Sequence, residues 1–363
     1  MNLSLGIVGL PNIGKSSLFN ALTKLEVLAA NYPFATIDPN VGIVPLRDPR
    51  IDKLSQLSNS KETIPAVVEF VDIAGLVKGA AGGQGLGNKF LGHIKEVGAI
   101  LHLVRMFKDP NVIHVENRLH PKEDIEIINA ELILKDIETL NKRINDTTSK
   151  MKGKTDIKIQ EYLELLKSLK AFLDKGTLGN KFQFKDESQK NLLQDLNLIT
   201  LKPMIYVANV DEGQLAISND DLRSELGLGD EEVVTAICVK TEAELVALSP
   251  EEQKEYLSSL GLEESGLDRI AKIGYQTLGL INFFTSGEKE TRAWTIPVGT
   301  KAPQAAGVIH THFEKNFITL EVVSYEDFIE YGSWVKAKEA GKMRLEGRGY
   351  IVRDGDIVIV RHS

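Results

Sequence analysis

Cysteine is almost absent: Cys238 stands alone, so no internal disulfide can form, and nothing has the Cys and His spacing of a structural zinc site. Long apolar runs are missing as well. No stretch approaches the ~20 residues a membrane-spanning helix requires, and the N-terminal run Leu3 to Leu10 lacks the basic flank and small-residue cleavage site of a secretory signal. The expectation is a reducing, cytoplasmic home, with no membrane partner. An excess of positive charge is also lacking. The formal net charge of -8 argues against indiscriminate coating of nucleic acid or anionic lipid and confines any such contact to a local patch.

What remains is globular material in generous amount. At 363 residues, 42% hydrophobic and 26% charged, the chain exceeds the usual size of one domain and should form two or three units, each with its own core. Apolar runs bounded by turn signals occur at Leu3 to Val8, Ala66 to Ile73, Ala99 to Met106, Pro203 to Asn209 and Val233 to Val239. Helical patterns between several of them predict a mostly parallel sheet covered on both faces. From about Asn129 the texture changes: Ile133, Ile137, Leu140 and Ile144 form one amphipathic stripe, and Ile159, Tyr162, Leu166, Leu169 and Leu173 a second. This predicts an antiparallel helical hairpin interrupting the sheet domain, either a solvated strut or a partner-binding arm. Beyond Leu278, short runs at Arg292 to Val298, Phe317 to Val323 and Tyr350 to Val360 predict a small strand-rich terminal domain.

The chemistry concentrates near the N-terminus. Gly9 to Ser16 reads GLPNIGKS, the G-x-x-x-x-G-K-[ST] pattern, after a predicted strand and before a helical pattern. Such a loop turns backbone N–H groups, here those of Asn12, Ile13, Gly14, Lys15, Ser16 and Ser17, toward the phosphates of a purine nucleoside triphosphate. Lys15 reaches the β- and γ-phosphates, Ser16 ligates Mg²⁺, and the helix N-terminus adds its dipole. At the end of the next long apolar strand, Asp72-Ile73-Ala74-Gly75 offers a carboxylate for Mg²⁺ and the Gly75 N–H for the γ-phosphate. Gly79 to Gly92 follows, glycine-rich enough to move. In Asn31 to Asn40, Thr36 is a candidate for Mg²⁺ and the γ-phosphate, an order that hydrolysis would release.

Taken in order, GIVGLPNIGKSSLFNALT at Gly6 to Thr23, NYPFATIDPN, FVDIAGLVKGA at Phe70 to Ala80 and GQGLGNKFL at Gly83 to Leu91 resemble the YchF subfamily of Obg-like ATPases, within the translation-factor-related P-loop GTPases. RAWTIPVG at Arg292 to Gly299 and the run from Ala306 to Val322 are similar to that family's TGS domain. The resemblance implies an α/β fold with a Ras-like P-loop G domain, an inserted α-helical hairpin and a C-terminal ubiquitin-like (β-grasp) TGS domain. The corresponding boundaries are 1–128 with 200–277, 129–199 and 278–363. It also implies hydrolysis of ATP, a nucleotide-dependent switch, and a ribosome or RNA partner met through the TGS and helical domains by what is expected to be a monomer.

Departures from ordinary GTPases are informative. The guanine-reading N-K-x-D becomes Asn209-Val210-Asp211-Glu212: Glu212 is one methylene too long, and Val210 removes the lysine stem that packs along the nucleotide. Guanine selectivity should weaken; adenine needs a different edge contact, such as Asn209 with backbone groups, although Asp211 could serve guanine if the register shifts. In the segment Cys238 to Lys240, the resemblance offers Lys240 as a cover for the purine; a surface lysine without a role is the alternative. Leu76 stands where Ras-like enzymes carry a water-orienting Gln, and the resemblance points instead to His114, with His93 and His102 as competitors and a merely structural histidine as the other reading. Three further readings stay open: a GTPase switch, a nucleotide-binding module with negligible hydrolysis, and a P-loop kinase. The kinase ranks behind because Gly79 to Gly92 carries no Arg for a lid. In the terminal domain, Lys336, Lys338, Lys342, Arg344 and Arg348 face only Glu339 and Glu346 locally, an excess suited to RNA phosphates. A solvated charged loop is the bland counterpart.

Overall fold

The computed structural model describes residues 3–28, 40–73, 94–108, 119–151 and 156–363. In chain order, β1 (Ser4–Val8) leads to α1 (Lys15–Leu28), then β2 (Val41–Pro45), α2 (Pro49–Ser58), β3 (Glu62–Ile64), β4 (Val67–Asp72) and β5 (Ala99–Arg105). Two long helices, α3 (Pro121–Lys150) and α4 (Ile157–Leu173), and a short one, α5 (Glu187–Asn191), precede β6 (Met204–Asn209). Next come α6 (Asn219–Leu226), β7 (Val233–Ile237), α7 (Val239–Leu245), α8 (Pro250–Ser259) and α9 (Gly266–Thr277). The remainder is β8 (Leu280–Ser286), β9 (Glu290–Pro297), α10 (Ala302–Ile309), α11 (Thr311–Lys315), β10 (Phe317–Val323), α12 (Tyr325–Tyr331), α13 (Trp334–Glu339), β11 (Arg344–Glu346) and β12 (Ile357–His362). Chain contacts divide these into two compact units: Met1–Lys24, Asp38–Gly42 and Phe70–Gly266 in one, Leu25–Ile37, Ile43–Glu69 and Leu267–Ser363 in the other.

The first sheet has strand order β2-β4-β1-β5-β6-β7. β1, β5, β6 and β7 pair in parallel, with Val8 opposite His102, Arg105 opposite Asn209, and Asn209 opposite Ile237. Every residue of β1, β5 and β6 is buried, as expected for strands covered on both faces. The strand order reverses at β1, and the carboxyl ends of β1, β5, β6 and β7 share one edge, the place where open α/β sheets bind ligands.

The hairpin starts earlier than its hydrophobic stripe. Pro121 opens α3, with Glu123 and Asp124 in the first turn, so fixed φ and a favourable dipole begin the helix before the apolar period becomes visible at Asn129. Asp156 caps α4 by accepting from the Lys158 N–H at 2.9 Å. Asp136, fully buried, anchors α3 to the segment before β6, accepting from the N–H groups of Ile199 (2.9 Å) and Thr200 (2.7 Å) and from the Thr200 hydroxyl (2.6 Å).

The second sheet runs β11-β10-β12-β8-β9-β3. β8 and β9 form an antiparallel hairpin, β12 joins β8 in parallel, and β10 pairs antiparallel with both β12 and β11. The small face of α10, Ala302, Ala305 and Ala306, packs with Phe283, Trp294, Ile296, Leu320 and Val358 in its core. The short β3 adds in parallel to β9, from Glu62 opposite Glu290 to Ile64 opposite Arg292. Among the described residues no helix is long and apolar enough to cross a membrane.

Candidate functional site

The loop after β1 is built around two glycines that nothing else can replace. Gly9 has φ 152°, and a Cβ there would lie 2.3 Å from Ile13 Cδ1 and 2.5 Å from the Leu103 carbonyl oxygen. Gly14, at φ 96°, would put a Cβ 2.6 Å from Asn209 Nδ2. Asn12 takes the left-handed conformation at φ 63°, which asparagine tolerates better than most residues. The loop then closes on itself: Lys15 Nζ donates to the Gly9 carbonyl at 2.9 Å, and the Leu18 N–H donates to the Gly14 carbonyl at 2.8 Å. Ile13 is buried, whereas Ser16 and Ser17 at the start of α1 are exposed.

Asp72, the last residue of β4, shares this edge. Burial raises its pKa above the usual aspartate value against the pull of Lys15, and burial likewise lowers Lys15 against the pull of Asp72. Among the described residues desolvation thus outweighs mutual attraction on both sides, a perturbation that is frequent at functional sites. His102, on β5, is 1% exposed. Burial, then the nearby Lys15 charge, depress its pKa to about 3, and its Nδ1 finds no partner among the described residues. It is a neutral ring packed 5.5 Å from that of Tyr206, so this competitor for water positioning lies in the sheet interior. Thr36, Gly75, Leu76, His93 and His114 lie outside the described residues.

At the opposite end of the site, Asn209 ends β6 and ties three segments together. Its Nδ2 donates to the Ile13 carbonyl at 2.9 Å, and its Oδ1 accepts from the Val239 N–H at 3.1 Å. Both halves of the amide are therefore committed to bracing the phosphate loop against the start of α7. The Val210 side chain is buried and its N–H donates to the Ile237 carbonyl at 2.8 Å. Asp211 accepts from the Lys108 N–H at 3.1 Å and forms a capping box with Gln214. Glu212 Oε2 accepts from the Thr241 hydroxyl and from the Tyr256 hydroxyl, each at 3.3 Å. Lys240 is exposed beside Val239.

Known proteins are similar to this chain in sequence and in fold. Residues 4–144 match a family model described as 50S ribosome-binding GTPase, and residues 280–363 match the YchF GTPase C-terminal model, described as a protein of unknown function (DUF933). The chain is 49% identical to the ribosome-binding ATPase YchF of Bacillus subtilis, over 100% of both chains. With the protein of the same name from Escherichia coli O157:H7 it shares 48% identity, covering 99% of this chain and 98% of the other. This chain belongs to the YchF family. In three dimensions it is similar to the Schizosaccharomyces pombe YchF GTPase, with a TM-score of 0.89 at 37% identity over 99% of this chain and 98% of that one.

Two contacts of Glu212 escape a linear reading of this YchF-family sequence. Thr241 lies one residue beyond the segment that draws attention, and Tyr256 lies 44 residues from Glu212 on a helix with no motif of its own. The terminal basic run is altered by its neighbours. Lys342 pairs with Asp327 at 3.0 Å, and Arg344 pairs with Glu346 at 3.2 Å and Asp356 at 3.4 Å. Arg348 donates to the Phe317 carbonyl at 2.9 Å. Lys336 and Lys338 of α13 remain exposed, so the outward charge is smaller than the local count implies.

Proposed function

We propose that this chain is a Mg²⁺-dependent P-loop ATPase, preferring ATP to GTP, that serves as a nucleotide-dependent switch at the ribosome. The observation that carries the reading is the desolvated pair of Lys15 and Asp72 at the carboxyl edge of the sheet, each shifted against its own ionised form. The relatives named ribosome-binding ATPase YchF, similar over their full length, support the choice of ATP and of the ribosome. Residues 1–128 with 200–277 would bind the nucleotide, 129–199 form the hairpin arm, and 278–363 the terminal domain; a monomeric, cytoplasmic protein is the simplest form.

The Ser16 hydroxyl and the Asp72 carboxylate are hard oxygen donors of the kind Mg²⁺ takes, and a cation beside Asp72 would favour its ionised form against the burial that raises its pKa. Thr36 would join them. When bound, Mg²⁺ neutralises charge on the β- and γ-phosphates. The chain's own part is positional: the N–H groups from Asn12 to Ser17 and of Gly75 cradle the phosphates. The Lys15 ammonium exchanges the Gly9 carbonyl for phosphate oxygens, and His114 orients the attacking water. Asn209 keeps the loop braced while Val210, Glu212 and Lys240 border the purine.

A GTPase is the second reading, favoured by the words ribosome-binding GTPase in the family description. The protein donors already holding Asp211 and Glu212 weigh against it, since guanine needs a free carboxylate. Multiple-turnover phosphate release separates the two. The expected result is faster release from ATP than from GTP, and co-sedimentation with purified ribosomes that differs between ADP and a non-hydrolysable ATP analogue. Equal or faster release from GTP overturns the ATP preference; no release from either, with tight binding kept, overturns the enzyme.

A further inference from the structure

We infer that Tyr256, together with Thr241, sets the purine selectivity of this site by holding the Glu212 carboxylate away from the base. The inference rests on the ATP preference proposed above. Guanine presents two donors, N1–H and N2–H₂, on the edge that a carboxylate in this part of the site would meet. Adenine presents an acceptor at N1, so a free carboxylate attracts the first purine and repels the second. A site that favours adenine while carrying an acid here must give that acid something else to do.

The fold supplies it. Glu212 is exposed, yet its Oε2 takes hydroxyl hydrogen bonds from two helices, Thr241 on α7 and Tyr256 on α8. Neither donor is loosely placed. Thr241 is 2% exposed and lies two residues beyond Val239, whose N–H is held by the Asn209 amide that also braces the phosphate loop. Tyr256 sits on a helix opened by Pro250 and locked by a capping box between Ser249 and Glu252. Asp211, the other acid of the motif, is occupied by the Lys108 N–H. The Tyr256 hydroxyl also lies 3.2 Å from Glu244 Oε2, so two carboxylates compete for one phenolic proton. A phenol keeps its proton at neutral pH in any case, and burial, followed by these carboxylates, pushes this one up to about 12. At 3.3 Å the contact to Glu212 is longer than the usual O–H···O range, so its loss should change selectivity by a modest factor. Tyr256 is thus a positioning residue, acting on the base through Glu212.

The test is the ratio of GTP to ATP dissociation constants, measured with fluorescent analogues of both nucleotides on the nucleotide-free full chain in Mg²⁺. For Tyr256→Phe the ratio should fall about three- to tenfold, chiefly through tighter GTP binding, with the melting temperature unmoved. Glu244→Ala, which leaves the phenolic proton to Glu212 alone, should raise the ratio. In a Glu212→Ala background Tyr256→Phe should be silent. A wild-type chain that prefers ATP, with a ratio unchanged in Tyr256→Phe, overturns the inference while sparing the ATP reading. The same holds if Tyr256→Phe has an equal effect without Glu212, since the tyrosine then acts by another route. A wild-type chain that prefers GTP removes the ATP reading and the inference with it.

Discussion

Two clusters of partly buried charge, one in each compact unit, follow opposite logics. In the first, Lys15 and Asp72 lie close enough to influence each other, yet desolvation prevails for both. In the second, Asp48, Arg50 and Asp354 satisfy one another. Arg50 donates to both Asp48 oxygens, at 2.9 Å and 2.7 Å, and to Asp354 at 2.7 Å. The Asn282 N–H donates to Asp354 at 3.0 Å, and the guanidinium lies 5.3 Å above the Phe284 ring. Burial pushes Asp48 up, but the Arg50 hydrogen bonds and charge more than reverse this and hold it below the usual value. Buried charge is therefore ambiguous until its partners are counted. Fully partnered, partly buried charge is a strut between α2, β8 and the turn before β12; with fewer partners among the described residues, at the carboxyl edge of a parallel sheet, it marks a candidate place for a ligand.

The largest expected effect separates the two clusters directly. Lys15→Ala removes a charge whose desolvation the Gly9 carbonyl and Asp72 offset only in part and that phosphate would bind more strongly. Nucleotide affinity should drop about 100-fold or more, while the melting temperature of the nucleotide-free chain stays level or rises. A coupled loss of both would mean that Lys15 is a strut like Arg50, and the contrast would collapse.

Asp48→Asn should do the reverse, leaving affinity within about twofold and costing about 2 kcal/mol of stability near neutral pH, a figure reduced for the partial exposure of Arg50. Its pH dependence gives the sharper check. A carboxylate whose folded pKa is depressed contributes stability that is fully present above its unfolded value, here 3.8, and is lost as pH falls through the folded value. The gap between wild type and Asp48→Asn in chemical denaturation should hold from neutral pH down to about 4 and close below it. A gap that does not close assigns the loss to packing rather than charge.

Sequence alone reveals the first cluster more readily than the second, for a physical reason. A phosphate loop is local: its glycines, lysine and serine are fixed by one strand-to-helix turn, so Gly9 to Ser16 reads directly, and Asp72 follows at the end of an apolar run. β1, β5 and β6 are legible because strands covered on both faces have no alternation to hide. Arg50 and Asp354 are 304 residues apart, and β3, three residues long, gains its place only from pairing with β9. No period announces either. The segment from Asn209 to Glu212 lies between these cases. Asn209 to Glu212 is visible as a changed motif, whereas the hydroxyls that occupy Glu212 come from two later helices. The run from Lys336 to Arg348 shows the same limit, because Asp327 on α12 and Asp356 before β12 meet it only once the chain has folded back.

Lys202 is the smallest and most discriminating case, because it belongs to neither class by inspection. Its ammonium donates to the Lys95 carbonyl at 2.8 Å and to the Val97 carbonyl, so it has partners, but neither carbonyl carries charge. Burial lowers its pKa to about 8, with Asp136 and Glu96 pulling it up and Lys95 down. A lysine depressed in the folded state binds fewer protons there than in the unfolded chain between its two values, here about 8 and 10.5. Stability should therefore rise with pH across that window. Lys202→Met lacks this contribution, so the melting temperature of wild type relative to the variant should climb by about 2–4 °C between pH 7.5 and 10. A flat difference would mean that two carbonyls suffice to hold an ammonium as firmly as Asp48 holds Arg50. Partnering by dipoles would then count as heavily as partnering by charge, and the line between strut and ligand site would have to be drawn at Lys15 by position on the sheet edge instead.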